Sequence, residues 1–299
     1  MAGYDEFGFF AENAAEHGIE WTGPPAVRRV SVSLPSGLRL SALVWGTAEP
    51  ELVLIHGGAQ NAHTWDTVAL ALGRPLVAVD LPGHGHSDHR PGHDYGPASL
   101  ADDVAVAVEA LAPAAAAVVG MSLGGLTAIC LAADHSHLVR RLGVVDVTPG
   151  TDHNKAEPII AFVDGPEHFD SFEAILERTV EHNPTRSLSS LRRGVLHNAH
   201  ETPDGRWTWN YDRMRDWKTD GGAGPGFGHL WEKVSQITAP TALWQGGAWS
   251  VVDEADVAEW MHRLPETVYE VVDGAGHSIQ GDRPLQLAAL IEDLLARPL

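Results

Sequence analysis

The chain alternates short apolar runs with longer amphipathic runs, and this alternation predicts its elements. Short runs rich in apolar and β-branched residues are typical of strands, whereas apolar positions three and four residues apart indicate helices. The predicted strands cover residues 28–34, 38–45, 51–55, 76–79, 115–120, 142–147, 241–245 and 268–272. The predicted helices of the same region cover residues 64–72, 100–111, 123–133, 254–263 and 285–296. Eight strands with interleaved helices predict an α/β protein with a mostly parallel sheet and helices on both faces.

The alternation stops between Pro149 and Pro240. This interval contains two amphipathic helical runs, a tryptophan-rich stretch and a glycine-rich loop, at residues 172–180, 189–199, 207–217 and 221–228. A long excursion between two strands is usually functional, and open α/β sheets bind ligands at the C-terminal edge of their strands. We therefore predict a mainly helical cap over that edge, inserted after the sixth strand.

Three regions follow from this division of the chain. The predicted core comprises residues 26–149 and 225–299, and the predicted cap comprises residues 150–224. Residues 1–25 form an N-terminal arm with a short apolar stripe. Two interpretations of the arm stay open, a frayed extension or a segment docked on the body or on a second copy of the chain.

Composition limits the function classes. Twenty Lys and Arg residues against 40 Asp and Glu residues give a net charge of −20, which argues against binding to nucleic acid or to an anionic membrane. No segment is apolar enough over a sufficient length to span a membrane, and the N-terminus lacks the pattern of a signal peptide. Cys130 is the single cysteine, so no intrachain disulfide can form. We expect a cytoplasmic protein that acts on a small molecule, either as a monomer or as a homo-oligomer.

A Gly-x-Ser-x-Gly motif provides the first candidate for chemistry. Ser122 lies in Gly120-Met-Ser-Leu-Gly124, between a predicted strand and a predicted helix. This arrangement is typical of a nucleophile elbow, although a glycine-rich connection in an ordinary α/β domain is the alternative. A nucleophilic serine needs a histidine and an orienting carboxylate. Of 17 histidines, only His277 follows the last predicted strand in a tight glycine-containing loop.

The chain resembles the α/β-hydrolase superfamily over nearly its whole length. The resemblance rests on four motifs in order, at His56-Gly57-Gly58, at Asp80 to Ser87, at the Ser122 elbow and at the Gly-His pair that ends in His277. It implies the α/β-hydrolase fold, with an oxyanion hole formed by the backbone N–H groups of Gly58 and Leu123. We expect neither a cofactor nor a metal.

The catalytic acid departs from the commoner family pattern. Many relatives carry it in a Gly-x-x-Asp turn after the seventh strand, but residues 246–250 read Gly-Gly-Ala-Trp-Ser here. Asp146 closes the apolar sixth strand, where a carboxylate is costly unless it has partners, and some family branches take their acid from this place. Asp253 is the alternative, although an aspartate just before a helix commonly caps it. The sequence favours Asp146.

Several other residues are of types that often act in catalysis or ligand binding, but they have no obvious role. His84, His86, His89 and His93 crowd one loop, but no flanking pattern indicates a metal site, and His56 fits a role in shaping the oxyanion turn better than one in proton transfer. The chain also has ten tryptophans. We predict substrate contacts from the tryptophans nearest the motifs and in the cap, namely Trp65, Trp207, Trp209 and Trp249, and therefore an apolar pocket.

The predicted activity is that of a serine hydrolase cleaving a carboxylic ester or lactone of a moderately hydrophobic small molecule. Ser122 forms an acyl-enzyme, His277 transfers the proton and Asp146 orients the histidine. The alternatives are a hydrolase of carbon–carbon bonds of the meta-cleavage product type and a non-catalytic ligand receptor on the same fold. A serine nucleophile argues against epoxide hydrolase or haloalkane dehalogenase chemistry, which needs a carboxylate.

Overall fold

The computed structural model describes residues 4–212 and 226–299. Its strands, in chain order, are β1 (Val27–Ser33), β2 (Arg39–Trp45), β3 (Leu52–Ile55), β4 (Leu76–Val79), β5 (Ala117–Met121), β6 (Leu142–Val145), β7 (His168–Phe169), β8 (Ala199–Glu201), β9 (Trp207–Trp209), β10 (Thr241–Gly246) and β11 (Val268–Val272). Its helices are α1 (Phe10–His17), α2 (Asp66–Leu72), α3 (Pro97–Leu111), α4 (Leu123–Asp134), α5 (Glu157–Val163), α6 (Phe172–Glu181), α7 (Leu188–Asn198), α8 (Trp231–Val234), α9 (Glu254–Arg263), α10 (Ile279–Asp282) and α11 (Pro284–Ala296).

The main sheet has eight strands in the order β1-β2-β4-β3-β5-β6-β10-β11. Strand β2 is antiparallel to both of its neighbours, and all other pairs are parallel. The predicted eight-stranded, mostly parallel sheet is therefore confirmed. Strands β3, β5 and β6 lie side by side at its centre, so their carboxyl ends bring the residues that follow them to one edge.

Side chains of the central strands alternate between two apolar layers, as the two-residue period of a strand requires. In β3, Val53 and Ile55 face the layer covered by α3, α4, α8 and α9. Leu52 and Leu54 face the layer covered by α1, α2, α10 and α11. Because both faces are covered, these strands are apolar throughout.

The predicted cap lies between β6 and β10, and we call its described part, residues 150–212, the cap segment. It contains α5, α6 and α7, and it also contains a three-stranded sheet in the order β7-β9-β8. The prediction of a mainly helical cap thus missed a small sheet, whose central strand comes from the tryptophan-rich stretch. Trp217 and most of the glycine-rich loop at residues 221–228 lie outside the described residues.

Among the predicted boundaries that differ from the structure, two have clear local reasons. Helix α3 begins at Pro97 rather than at residue 100, because proline fits the first turn of a helix, where its missing N–H is not needed. The sixth strand ends at Val145 rather than at residue 147, because Asp146 takes a positive φ of 48° and leaves the ladder. That turn directs the Asp146 carboxylate away from the strand.

The N-terminal arm packs against the body through α1. Phe10 is 2% exposed, and its ring centroid lies 4.9 Å from that of Trp45 in β2. Glu6 pairs with Arg29 of β1, and the Tyr4 hydroxyl forms a 2.7 Å hydrogen bond with Nδ1 of His197 in the cap segment. The arm therefore contacts both the core and the cap segment.

Truncating the Phe10 side chain is expected to destabilise the fold. A buried Phe→Ala change usually costs about 3–5 kcal/mol, and we expect about 3 kcal/mol for Phe10→Ala because the arm can partly adjust. Urea denaturation of the full chain measures this difference in unfolding free energy. Leu188→Ala, at a leucine that is 62% exposed, is the reference and should cost less than about 0.5 kcal/mol. Equal effects of the two changes would show that the arm contributes nothing to stability.

Candidate active site

Ser122 occupies a sharp turn between β5 and α4. Its backbone angles are φ 51° and ψ −121°, which few non-glycine residues adopt. The flanking glycines permit the turn, because a Cβ on Gly124 would lie 2.4 Å from the carbonyl oxygen of His56 and one on Gly120 would lie 2.1 Å from that of Gly124. The Ser122 side chain lines a cavity at the edge of the sheet. The geometry matches the predicted nucleophile elbow.

His277 and Asp146 form the pair that the sequence favoured. Nδ1 of His277 lies 2.7 Å from Oδ2 of Asp146, and His277 lines the same cavity as Ser122. Because a carboxylate only accepts hydrogen bonds, this contact places the ring proton on Nδ1 and leaves Nε2 free to accept a proton. The pair thus has the arrangement of a general base and its orienting acid.

The Asp146 carboxylate is fully buried, and its oxygens accept hydrogen bonds from several groups. Oδ1 accepts from the Gly246 N–H at 2.7 Å and from the Ser250 hydroxyl at 2.5 Å. Oδ2 accepts from the Val251 N–H at 3.3 Å in addition to His277. These donors compensate the loss of hydration, which explains how a charge can close an apolar strand.

Asp253 has a structural position instead. Its side chain accepts a hydrogen bond from the Asp256 N–H at 2.9 Å and caps α9, and the Asp256 side chain accepts one from the Asp253 N–H in return. It also pairs with Lys155 at 2.9 Å and is half exposed. This is the capping role that the sequence offered as the alternative for Asp253.

Ser250 was missed by the sequence analysis. It stands in Gly247-x-x-Ser250, where many relatives place the acid, and its hydroxyl contacts the Asp146 carboxylate. The position where many relatives carry the aspartate could therefore have pointed to Ser250, because a residue in this turn after β10 reaches the Asp146 carboxylate.

The predicted oxyanion donors, Gly58 and Leu123, both line the cavity beside Ser122. Leu123 is the first residue of α4, and N–H groups of a first helical turn have no partner within the helix. Gly57 lies directly against the elbow, because a Cβ there would approach the Met121 sulfur to 2.6 Å. The two predicted donors therefore flank one space next to the nucleophile.

Two buried histidines brace the loop that carries Gly58. His56 accepts a hydrogen bond from the Leu81 N–H at 2.9 Å through Nε2, so its Nδ1 donates to the Gly57 carbonyl at 2.7 Å. His84 accepts from the Ala59 N–H at 3.1 Å. Burial lowers the pKa of both side chains, that of His84 to about 3, so both are neutral braces rather than proton carriers.

One histidine-rich group has residue types that could bind a metal ion. Ligand atoms of His63, Asp66 and His197 lie within 4.8 Å of one another, and this is the one such group among residues 4–212 and 226–299. The two imidazole rings are stacked at 3.9 Å and are nearly parallel, so their nitrogen lone pairs do not converge.

Both nitrogens of His63 contact carboxylates, those of Asp66 and Glu6. Burial alone would lower the pKa of His63, but these carboxylates raise it to about 9. The group fits an ion-pair network rather than a metal site.

The cavity above Ser122 has a volume of about 1010 Å³. Trp209 lines it, and so does Trp249, whose ring meets the His277 ring edge-on at 5.7 Å. Two other predicted substrate contacts are not brought to the cavity wall. Trp65 is completely buried in the core, and Trp207 packs against Phe172 inside the cap segment. A large aromatic side chain near a motif is equally suited to core packing, which is the role of these two.

The fold and this constellation define the class of the protein, an α/β hydrolase with a serine at its nucleophile elbow. The sequence profile described as alpha/beta hydrolase fold matches residues 50–284, and the chain belongs to that family. The chain is 42% identical, over 99% of its length and 97% of that of the relative, to esterase Rv0045c of Mycobacterium tuberculosis. A structure of that esterase superposes with a TM-score of 0.87, covering 99% of this chain and 100% of the other. These similarities confirm the predicted superfamily and a hydrolase that acts on ester bonds.

More distant relatives agree on the fold. The chain is 26% identical to sn-1-specific diacylglycerol lipase ABHD11 of Mus musculus, over 83% of this chain and 81% of that protein. The structure of E-2-(acetamidomethylene)succinate hydrolase gives a TM-score of 0.79 at 21% identity, over 91% of this chain and 100% of the other, which shows a shared fold alone. Among the described residues, no helix combines the length and the apolar character needed to cross a membrane.

Proposed function

We propose that this hydrolase is a serine esterase that cleaves a carboxylic ester or lactone of a moderately hydrophobic small molecule through an acyl-enzyme on Ser122. One observation is the main support for this proposal. The 2.7 Å contact between His277 and Asp146 lies at the cavity that also holds Ser122 on its strained elbow. We extend the proposal to a cytoplasmic protein, because its single cysteine is buried and cannot form an intrachain disulfide.

The proposed reaction has two halves. The Ser122 hydroxyl oxygen attacks the substrate carbonyl carbon while Nε2 of His277 takes the hydroxyl proton. The tetrahedral intermediate collapses, the bond to the alcohol oxygen breaks, and His277 returns the proton to that oxygen. Water then attacks the acyl-enzyme with the same histidine as base, which releases the acid and restores Ser122. Asp146 stabilises the imidazolium in both halves.

The negative charge of each tetrahedral intermediate needs donors that are already in place. The N–H groups of Gly58 and Leu123 are the proposed donors, and each contributes about 3 kcal/mol when it is fixed where the charge develops. Their loop and helix are held by groups that do not take part in the reaction, so no reorganisation is needed during the chemical step.

The wall of the cavity opposite the core supports a hydrophobic substrate. Helix α5 has no buried residue, yet its apolar side chains line the cavity, and these are Ile159, Ile160, Phe162 and Val163. Phe162 also meets the Trp209 ring at 5.5 Å. A helix with four half-buried apolar residues facing a cavity is suited to an acyl chain or an aromatic ring. The ester-cleaving names of the relatives above support ester chemistry over carbon–carbon cleavage.

The test combines product analysis with trapping of the intermediate. The full chain is offered p-nitrophenyl esters of increasing acyl length, lactones, and a ring-cleavage substrate with a vinylogous diketone. We expect a burst of p-nitrophenol equal to the enzyme concentration and, after acid quenching, an acyl mass on the peptide that contains Ser122. Cleavage of the diketone alone would instead establish the carbon–carbon hydrolase. Labelling of Ser122 by a fluorophosphonate without turnover of any substrate in this panel would contradict the proposed substrate class.

A further inference from the structure

The peptide that follows Gly58 is held from two sides. Ala59 has a φ of 59°, a left-handed conformation that costs a non-glycine residue about 1–2 kcal/mol. Its N–H donates to Nε2 of His84 at 3.1 Å, and its carbonyl accepts a hydrogen bond from Nδ2 of Asn198 at 2.7 Å. His84 belongs to the core, whereas Asn198 is the last residue of α7 in the cap segment. A strained conformation persists only where its surroundings hold it, so both partners matter.

Asn198 is itself oriented by the loop that it holds. Nδ2 of Asn61 donates to Oδ1 of Asn198 at 3.2 Å and to the His197 carbonyl at 3.1 Å. Because Oδ1 of Asn198 is occupied as an acceptor, its Nδ2 is the atom that reaches Ala59. Asn61 is fixed in turn, since its Oδ1 accepts a hydrogen bond from the His63 N–H at 2.9 Å. The two asparagines thus connect the oxyanion loop and α7 in both directions.

The N-terminal arm supports the same end of α7. Tyr4 bonds to His197, and the Phe9 ring meets the His197 ring edge-on at 5.3 Å. Earlier in the helix, Glu16 of α1 pairs with Arg193, which is 3% exposed. These contacts restrain α7 independently of the oxyanion loop, so α7 can serve as a fixed point for that loop.

We propose that Asn198 is a positioning residue, through which the docked cap segment keeps the oxyanion loop in the conformation that turns the Gly58 N–H toward the substrate. The inference rests on the proposed function of Gly58. The Gly57 carbonyl shares a peptide with the Gly58 N–H, and it accepts hydrogen bonds from Nδ1 of His56 and from the Gln60 N–H at 3.3 Å. The Gln60 N–H in turn shares a peptide with the Ala59 carbonyl that Asn198 holds, so Asn198 acts on the orientation of the Gly58 N–H through this peptide. Without Asn198, Ala59 can relax from its strained φ, and the Gly58 N–H then no longer points toward the substrate. The oxyanion hole is then complete only while α7 is docked.

The test is Asn198→Ala, with kcat and KM measured separately on a p-nitrophenyl ester. We expect kcat to fall about 10- to 100-fold, a part of the about 10²- to 10³-fold cost of removing an oxyanion donor. We expect KM to change less than about threefold, because the charge that the donor stabilises exists only in the transition state. Asn210→Ala is the matched control. Asn210 also belongs to the cap segment and its side chain donates to the His197 carbonyl at 3.4 Å, but no hydrogen bond joins it to residues 57–60.

A second variant separates positioning from a general effect on cap stability. Glycine adopts the conformation of Ala59 without strain, so Ala59→Gly in the Asn198→Ala background should restore at least about threefold of the lost kcat. An unchanged kcat in Asn198→Ala, or a loss matched by Asn210→Ala, would overturn the inference. If Ser122→Ala leaves the activity intact, the proposed function fails instead, so the two failures are distinguishable.

Discussion

Replacing Ser122 with alanine is expected to lower kcat/KM for aryl esters by about 10⁴-fold or more. The side chain contributes the oxygen that forms the acyl-enzyme, and triad residues that act as a unit show losses of this size when one is removed. Alanine carries the same Cβ as serine, so the strained elbow and the fold should persist. The measurement is the initial rate of p-nitrophenol release, together with circular dichroism of the variant.

A contaminating esterase can imitate residual activity, so a matched serine variant is needed. Ser36 is exposed on the turn between β1 and β2, and Ser36→Ala purified in the same way should retain full activity. If Ser122→Ala retained a tenth or more of the wild-type rate in the same preparation, an acyl-enzyme on Ser122 would be ruled out.

The features that the sequence predicted well depend on local constraints. The elbow is one of them, because a Cβ on Gly120 would lie 2.1 Å from the carbonyl oxygen of Gly124, four positions further along the same turn. The strands of the central sheet are another. They are covered on both faces, so a continuous apolar run such as 52–55 indicates a buried strand from sequence alone.

The features that the sequence missed depend on how the cap segment meets the core. Asn198 and Ala59 are 139 positions apart in the chain, and their hydrogen bond exists only because α7 docks beside the oxyanion loop. The tryptophans show the same limit. Trp209 lines the cavity, whereas Trp207, two positions away in the same short strand, packs into the cap segment's own core. Side chains two positions apart point to the same face of a strand, so alternation does not separate these two tryptophans, and tertiary packing around each end of β9 decides which of them meets the cavity.

Replacing Asp146 with asparagine is expected to lower kcat by about 10⁴-fold with little change in KM. An amide in place of the carboxylate can donate to Nδ1 of His277, which favours the ring tautomer that cannot accept the Ser122 proton. The residue also stabilises the imidazolium that forms in the transition state. Steady-state kinetics on a p-nitrophenyl ester gives the loss, and Asp253→Asn under the same conditions should lose less than about threefold, because Asp253 caps α9.

The acid can be moved to the turn after strand β10 as a stricter test of the same geometry. The Ser250 hydroxyl lies 2.5 Å from Oδ1 of Asp146, so Ser250→Asp in the Asp146→Asn background places a carboxylate at the site where His277 needs one. We expect kcat to recover at least about tenfold from its value in the single variant, since the orienting charge is restored. Ser250→Asn in that background has the same size without the charge and should recover nothing. Recovery by both changes would show that packing, and not the carboxylate, limits the activity of the Asp146→Asn variant. A larger loss of kcat in Asp253→Asn than in Asp146→Asn would assign the acid to Asp253.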